Sequence, residues 1–301
     1  MRIRTFFLAL LGVSMVFSYS STMAQSKKAD SEEVSASSDD IEADADPLNP
    51  GKKKPRIYVG PVAGYNRSLH TGGFASIAKG TASCPTFESG TENGYYFGLT
   101  AEFLLGDVKN SKSSIIARVL YDYQPAYFTV PGDKYPSKLA DGTEIFTEIE
   151  HTTRVKYTLL NIEVMYKFNI PGTFLGITAG PQFGFPIGGN QEQRYQLVFD
   201  PSKPVQFPIE VDSLANLPAV GDYKPHFLDE TRTSIVLYEG NIIDQSSFRA
   251  GLKLGLQYEI LLGRAVLVPS AYYNMGLTKI NTKDNWRVNA LQFGADLRFA
   301  L

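Results

Sequence analysis

The chain has 301 residues, 29 basic and 31 acidic side chains, and a formal net charge of −2. That balance excludes the broad basic footprint of a nucleic-acid-binding protein. The single cysteine, Cys84, excludes an intrachain disulfide framework and reads as a small loop residue rather than a redox thiol.

Arg2 and Arg4 precede the apolar run FFLALLGVSMVF at 6–17, and SYSSTMAQ follows it. Thr22 and Ala24 occupy the −3 and −1 places of a cleavage site, so residues 1–24 read as a secretory signal peptide. The run is shorter than the ~20 residues that a membrane-spanning helix needs. No later stretch reaches that length either, which excludes helical spanning after the signal. Residues 25–55 read as an acidic, disordered periplasmic leader. Between 26 and 50, eight acids face Lys27 and Lys28 with no aromatic residue, too little apolar surface to offset the entropy of ordering. GKKKPR at 51–56 then places Lys52, Lys53, Lys54 and Arg56 where a basic collar would meet lipid phosphates at the inner rim.

From 56 to 301 a two-residue period recurs, the mark of strands with chemically different faces. IYVGPVAGYN (57–66) sets Val59, Pro61, Ala63 and Tyr65 against Gly60, Val62, Gly64 and Asn66. YYFGLTAEFLL (95–105) sets Phe97, Leu99, Ala101 and Phe103 against Tyr96, Gly98, Thr100 and Glu102. IIARVLYDYQ (115–124) opposes Ile115, Ala117, Val119 and Tyr121 to Arg118 and Asp122. TLLNIEVMYKF (158–168) opposes Leu160, Ile162, Val164, Tyr166 and Phe168 to Asn161, Glu163 and Lys167. FLGITAGPQFGF (174–185) repeats the pattern with Gly176, Thr178, Gly180, Gln182 and Gly184 on its polar face. FRAGLKLGLQYEIL (248–261) carries Arg249, Gly251, Lys253, Gly255, Gln257 and Glu259 there. AVLVPSAYYNMGL (265–277) is the weakest of the set, with Leu267, Ala271, Tyr273 and Met275 as its apolar face. ALQFGADLRFAL (290–301) closes it with Gln292, Gly294, Asp296 and Arg298 opposite its apolar face.

The connections alternate in length. Those after the second, fourth and sixth strands are the short GDVKNSKS, NIPG and LGR; most of the others are long, the longest running from about 189 to 246. Even strand number, tight turns at one end and long loops at the other predict an all-β fold, an eight-stranded antiparallel up-and-down transmembrane barrel with long extracellular loops. A soluble β-sandwich is the alternative; it gives no reason for long loops at every other turn. The apolar faces then point to lipid. Tyr65, Tyr95, Tyr123, Phe185, Phe248, Tyr273 and Trp286 are expected in the outer aromatic girdle, with Phe103, Tyr166, Phe168, Tyr258 and Phe299 in the inner one.

The polar faces meet in the lumen. Arg118, Lys167, Arg249, Lys253 and Arg298 are expected there with Glu102, Asp122, Glu163, Glu259 and Asp296, five charges of each sign. An eight-stranded interior is just wide enough for side chains to fill, and buried charges are costly unless paired. The expectation is a paired network in a closed barrel.

Several stretches resemble the PorT-like outer-membrane β-barrel family common in Bacteroidota: YVGPVAGYNRS, LLNIEVMYKF with FLGITAGPQFGF, and FRAGLKLGLQYEI, PSAYYNMGLTKI and LQFGADLRF. The most recognisable piece is Ala179-Gly180-Pro181. The resemblance covers about residues 56–301 apart from the long loops. It implies an integral barrel of the cell outer membrane, some relatives of which are associated with type IX secretion, and it carries over no catalytic residue.

Three function classes follow. A barrel enzyme acting on lipid or peptide would need His70, His151 or His226, which all fall in or beside the long loops, as base or metal ligand. No HxxxH or GxSxG spacing supports that, so no catalytic, cofactor or metal residue is assigned. A small-solute channel needs a wider bore than eight strands leave. The remaining class is a non-enzymatic barrel that interacts through its loops, with outer-membrane lipid and another envelope or secretion protein as partners and no cofactor. In those loops, YQLVFD (195–200) and TSIVLYEG (233–240) are expected to pair as an extension of the fifth and sixth strands. Asp141-Gly142 is expected to turn a hairpin.

Overall fold

The computed structural model describes residues 45–46, 49–53, 55–75, 86–106, 111–209, 213–214 and 223–301. The expected signal peptide, most of the acidic leader, Lys54 of the basic collar and Cys84 lie outside these residues. Within the stretch read as leader, β1 (Ala45–Asp46) and β2 (Asn49–Lys53) form a small antiparallel pair of their own.

The larger sheet contains β3 (Ile57–Ala75), β4 (Thr86–Leu105), β5 (Ser113–Tyr123), β6 (Ala126–Leu139), β7 (Glu144–Asn169), β8 (Leu175–Val198), β9 (Val205–Gln206), β10 (His226–Phe227), β11 (Ser234–Asn241), β12 (Arg249–Tyr258), β13 (Ile260–Leu262), β14 (Ala265–Gly276) and β15 (Arg287–Ala300). Eight of them close a ring. The hydrogen-bonded order β3-β4-β5-β7-β8-β12-β14-β15 returns to β3, antiparallel at every step. Closure leaves no unpaired edge within the ring, which a strand assembly in hydrocarbon requires. The five strands outside the ring explain why the sheet exceeds eight. β13 pairs β14 at the short-turn end, and β6, β9, β10 and β11 pair with the far ends of β7 and β8 and with one another.

Side-chain direction follows the period of two. Phe97, Leu99, Val119, Ile162, Leu254 and Phe293 point out of the ring and are exposed, while their neighbours in sequence are turned inward. The outward apolar band runs from Tyr95 to Phe103 on β4. Nine residues at ~3.3 Å each, tilted by ~40°, give a height of roughly 23 Å, that of a lipid-facing barrel band. Above it the outward residues turn polar: Arg67 on β3, Asn93 on β4, Lys156 and Arg154 on β7, Asn289 and Arg287 on β15. The strands are longer than the sequence period alone marked, because β3, β4, β7 and β8 continue past this boundary.

Candidate functional site

The ten charged side chains expected in the lumen all face it, and nine of them are buried. They form two groups along the axis. Near the short-turn mouth, Glu102 accepts from Lys167 Nζ (2.7 Å) and from Arg298. Lys167 also reaches Glu259, whose side chain keeps a quarter of its surface at the mouth rather than being buried as expected. Asp296 accepts from Arg118 Nη2 (2.7 Å) and Arg298 Nε (3.1 Å). Deeper, Lys253 Nζ lies 2.6 Å from Glu163 Oε1, with both side chains fully buried. The ammonium also sits 4.6 Å from the Tyr272 ring centre and 5.7 Å from that of Tyr96. Arg118 lies 4.9 Å over the same Tyr272 ring. Tyr96 and Tyr272 carry no charge, so a search for ions misses them; their inward parity on β4 and β14 was legible. Tyr96 fits because Gly64 leaves its place empty: a Cβ there would lie 2.5 Å from the ring.

The expectation of ion pairs throughout needs one correction. Asp122 and Arg249 make hydrogen bonds to neutral groups instead. Asp122 Oδ1 accepts from Asn66 Nδ2 (2.7 Å), and its Oδ2 from Gln124 (2.7 Å), Asn161 (2.8 Å) and Gln292 (3.1 Å). Arg249 donates to Gln124 Oε1 (3.2 Å) and the Val288 carbonyl (2.9 Å), and lies 5.6 Å over the Tyr157 ring. Four amide donors satisfy a buried carboxylate as an opposite charge would.

An aromatic plug closes the long-loop end of the lumen. Phe74, Phe87, Phe128, Val155, Tyr157 and Trp286 belong to one buried cluster. Phe74 and Trp286 stack at 4.6 Å, and Phe128 meets Phe74 edge-on at 5.0 Å. Trp286 is 1% exposed and is therefore no girdle residue. It precedes β15, where the strand alternation no longer sets side-chain direction. Its Nε1–H donates to His70 Nδ1 (3.2 Å), and His70 Nε2 lies 3.1 Å from the Gln124 carbonyl. These partners select the neutral tautomer with hydrogen on Nε2. Burial, reinforced by the charge of Arg249, holds the His70 pKa down at about 3.

Beyond the plug stands a cap. β7 and β8 run on as a hairpin, with β6 beside β7 and β11 beside β8. Ser234↔Gln196 and Ile235↔Tyr195 realise the expected extension, and Gly142 (φ +87°) turns the β6–β7 hairpin with its N–H on the Leu139 carbonyl. One face of this sheet has its own core: Ile149, Tyr195, Leu197, Ile235 and Leu237, covered by Val205, Phe207 and Leu214 of the long loop. The other face carries Phe146, 72% exposed, two residues from the Glu148↔Val198 pair, with Val198 also exposed.

The histidines are not brought together. His70 is buried on β3, His151 is buried on β7 against Tyr195 at 4.5 Å, and His226 is exposed on β10 beside Tyr223. β8 and β11 separate the last two. All three thus lie within strands, and two of them are buried rather than solvated. Among the described residues no group of three or more His, Cys, Asp or Glu converges as a metal site.

No family model matches the chain, and no curated protein matches it. Solved structures to which it is similar include the attachment invasion locus protein Ail of Yersinia pestis, in complex with the heparin analogue sucrose octasulfate. There the identity is 11% over 81% of this chain and 99% of that one, with a TM-score of 0.28. Neisserial surface protein A is 11% identical over 83% and 100% of the two chains, with a TM-score of 0.30. The outer membrane protease OmpT of Escherichia coli is 8% identical over 81% and 96%, with a TM-score of 0.28. These scores are low, and the barrel fold rests on the closed strand pairing.

Proposed function

We propose that this chain is a non-enzymatic integral barrel of the outer membrane that binds another envelope protein through its cap. The observation that carries the reading is the exposure of Phe146 and Val198, two residues out of register on one face of a cap sheet whose opposite face is already filled. Exposed aromatic and aliphatic anchors on a rigid support are where binding energy concentrates. The lumen supports the non-channel part: its ten charges sum to zero and are hydrogen-bonded, and the aromatic plug lies above them. The PorT-like resemblance supports a setting in envelope assembly or secretion.

The test is in-cell photocrosslinking from a probe at the exposed position 148, which stands opposite Val198, in the parent, Phe146→Asp and Val198→Asp. Crosslinks to one envelope protein that vanish in both variants, with the barrel still heat-modifiable on gels, are expected. An unchanged crosslink pattern in both variants would remove the cap as the binding surface.

A further inference from the structure

On the outer wall of the barrel, β3, β4, β5 and β7 share a depression of about 430 Å³. It lies over Ala101 and Ala117, which pair with each other across β4 and β5, and its rim is Pro61, Leu99, Val119 and Ile162. Larger outward residues, Phe97 and Tyr121, stack at 5.0 Å just above it. Higher still on the same strands, the apolar band gives way to cations. Arg67 on β3 pairs with Asn93 on β4, and extending the β4–β5 and β5–β7 registers from Tyr95↔Tyr123 and Tyr123↔Thr158 brings Asn93 level with Lys156. Arg154, two residues on, lies 5.8 Å over the Tyr127 ring.

Among the described residues none of the three cations forms an ion pair, although Glu192 and Glu239 line the same recess as Arg154 and Lys156. Arg67 donates to the neutral oxygens of Asn93 (2.6 Å) and Thr91 (2.6 Å), which leaves its charge uncancelled while fixing its place. Lys156 stands opposite Asn190. Arg154 stands opposite Glu192, and that carboxylate is already taken by Arg194. Three strand spacings of ~4.8 Å separate Arg67 from Lys156 by ~14 Å, with Tyr95 and Tyr123 between them.

The depth fits a lipid. Pro61 lies six residues below Arg67 on β3, roughly 20 Å along the strand and ~15 Å along the membrane normal at a tilt of ~40°. That is half of the ~30 Å hydrocarbon core, the reach of one leaflet's acyl chains. We infer that this wall is a binding site for a phosphate-bearing lipid of the leaflet at the long-loop end. Its acyl chain lies over Phe97 and Tyr121 into the depression at Ala101 and Ala117, and its anionic head rests on Arg67, Lys156 and Arg154. The site is continuous with the lipid-facing band, which is why a membrane lipid occupies it rather than a soluble anion. It stands independently of the cap.

The test is native mass spectrometry of the refolded full chain in neutral detergent, titrated with dimyristoyl phosphatidic acid or dimyristoyl phosphatidylcholine. At least a tenfold preference for the phosphatidic acid is expected. The triple variant Arg67→Gln, Arg154→Gln, Lys156→Gln should reduce it to within twofold. An equal charge change elsewhere, Arg264→Gln, Lys134→Gln, Lys203→Gln, should leave it in place. Ala117→Trp, which fills the depression, should weaken the long-chain lipid at least fivefold and leave dihexanoyl phosphatidic acid unchanged. Heat-modifiability gels establish that each variant is folded, and all six cations and Ala117 face away from the core. A preference that survives the first triple variant, or falls equally in the second, overturns the headgroup site. Long-chain binding unaffected by Ala117→Trp overturns the groove.

Discussion

The Lys253–Glu163 pair permits a quantitative test of how the lumen is held. Both side chains are fully buried, 2.6 Å apart, and β8 lies between their strands. Removing one member of such a pair costs roughly 3–5 kcal/mol when the other is left without compensation, and replacing both by apolar residues is close to neutral. The surroundings make the two single changes unequal. Glu163 is paired in register with Arg118, and its Oε2 makes no hydrogen bond, nor do Arg118 Nε and Nη1. In Lys253→Met the carboxylate can therefore turn to Arg118, and the loss should be about 1–3 kcal/mol. In Glu163→Leu the ammonium loses its ion-pair partner and keeps the faces of Tyr272 and Tyr96, worth about 1–2 kcal/mol, beside the cation of Arg118, which stays bound to Asp296. That loss should reach the full ~3–5 kcal/mol. The double variant should return to within about 1 kcal/mol of the parent. The assay is reversible urea unfolding of the refolded barrel in lipid vesicles, with heat-modifiability gels as a second readout. Single variants as stable as the parent, or a double variant whose loss is the sum of the two, would refute the reasoning.

Four other outcomes follow. Planar-bilayer recording of the parent should show no steady conductance, and Phe128→Ala should cost about 3–5 kcal/mol by opening the plug. His70 is neutral in the fold with its pKa near 3, whereas its unfolded value is about 6.5, so stability is unaffected above that value and declines as pH falls below it. Between pH 7.5 and 5 the loss should be roughly 2 kcal/mol, read by the fluorescence of Trp286, the single tryptophan, and His70→Gln should flatten the difference. Gly98→Val should block assembly, because a side chain there would enter the Val119 carbonyl on the neighbouring strand; a variant that shifts normally on gels contradicts the packing. Deleting residues 25–55 should leave insertion intact, and protease added to whole cells should not reach that segment; cleavage from outside would reverse the topology.

The barrel was legible in the sequence because strand parity is a local property. Lys253 faces the lumen for the same reason that Leu254 faces lipid: successive side chains leave a strand on opposite sides. Eight such stretches with alternating loop lengths determine the ring and the inward set of ten charges, and the resemblance to PorT-like barrels rests on the same pattern. Couples within the lumen are a different matter. Lys253 is in register with Gly180 on β8, and Glu163 with Gln182, so the ion pair reaches across a strand where a glycine leaves space. Only the joint register of three strands places those atoms together. The same holds for Asp122, whose four amide donors come from β3, β7, β15 and the end of β5. Parity also fails outside regular strands. Trp286 lies in a connection, and only packing against Phe74 and His70 turns it inward. The basic wall has the same origin: Arg67 is distant in sequence from Arg154 and Lys156, and the pairing of the strands between them lines them up above one groove.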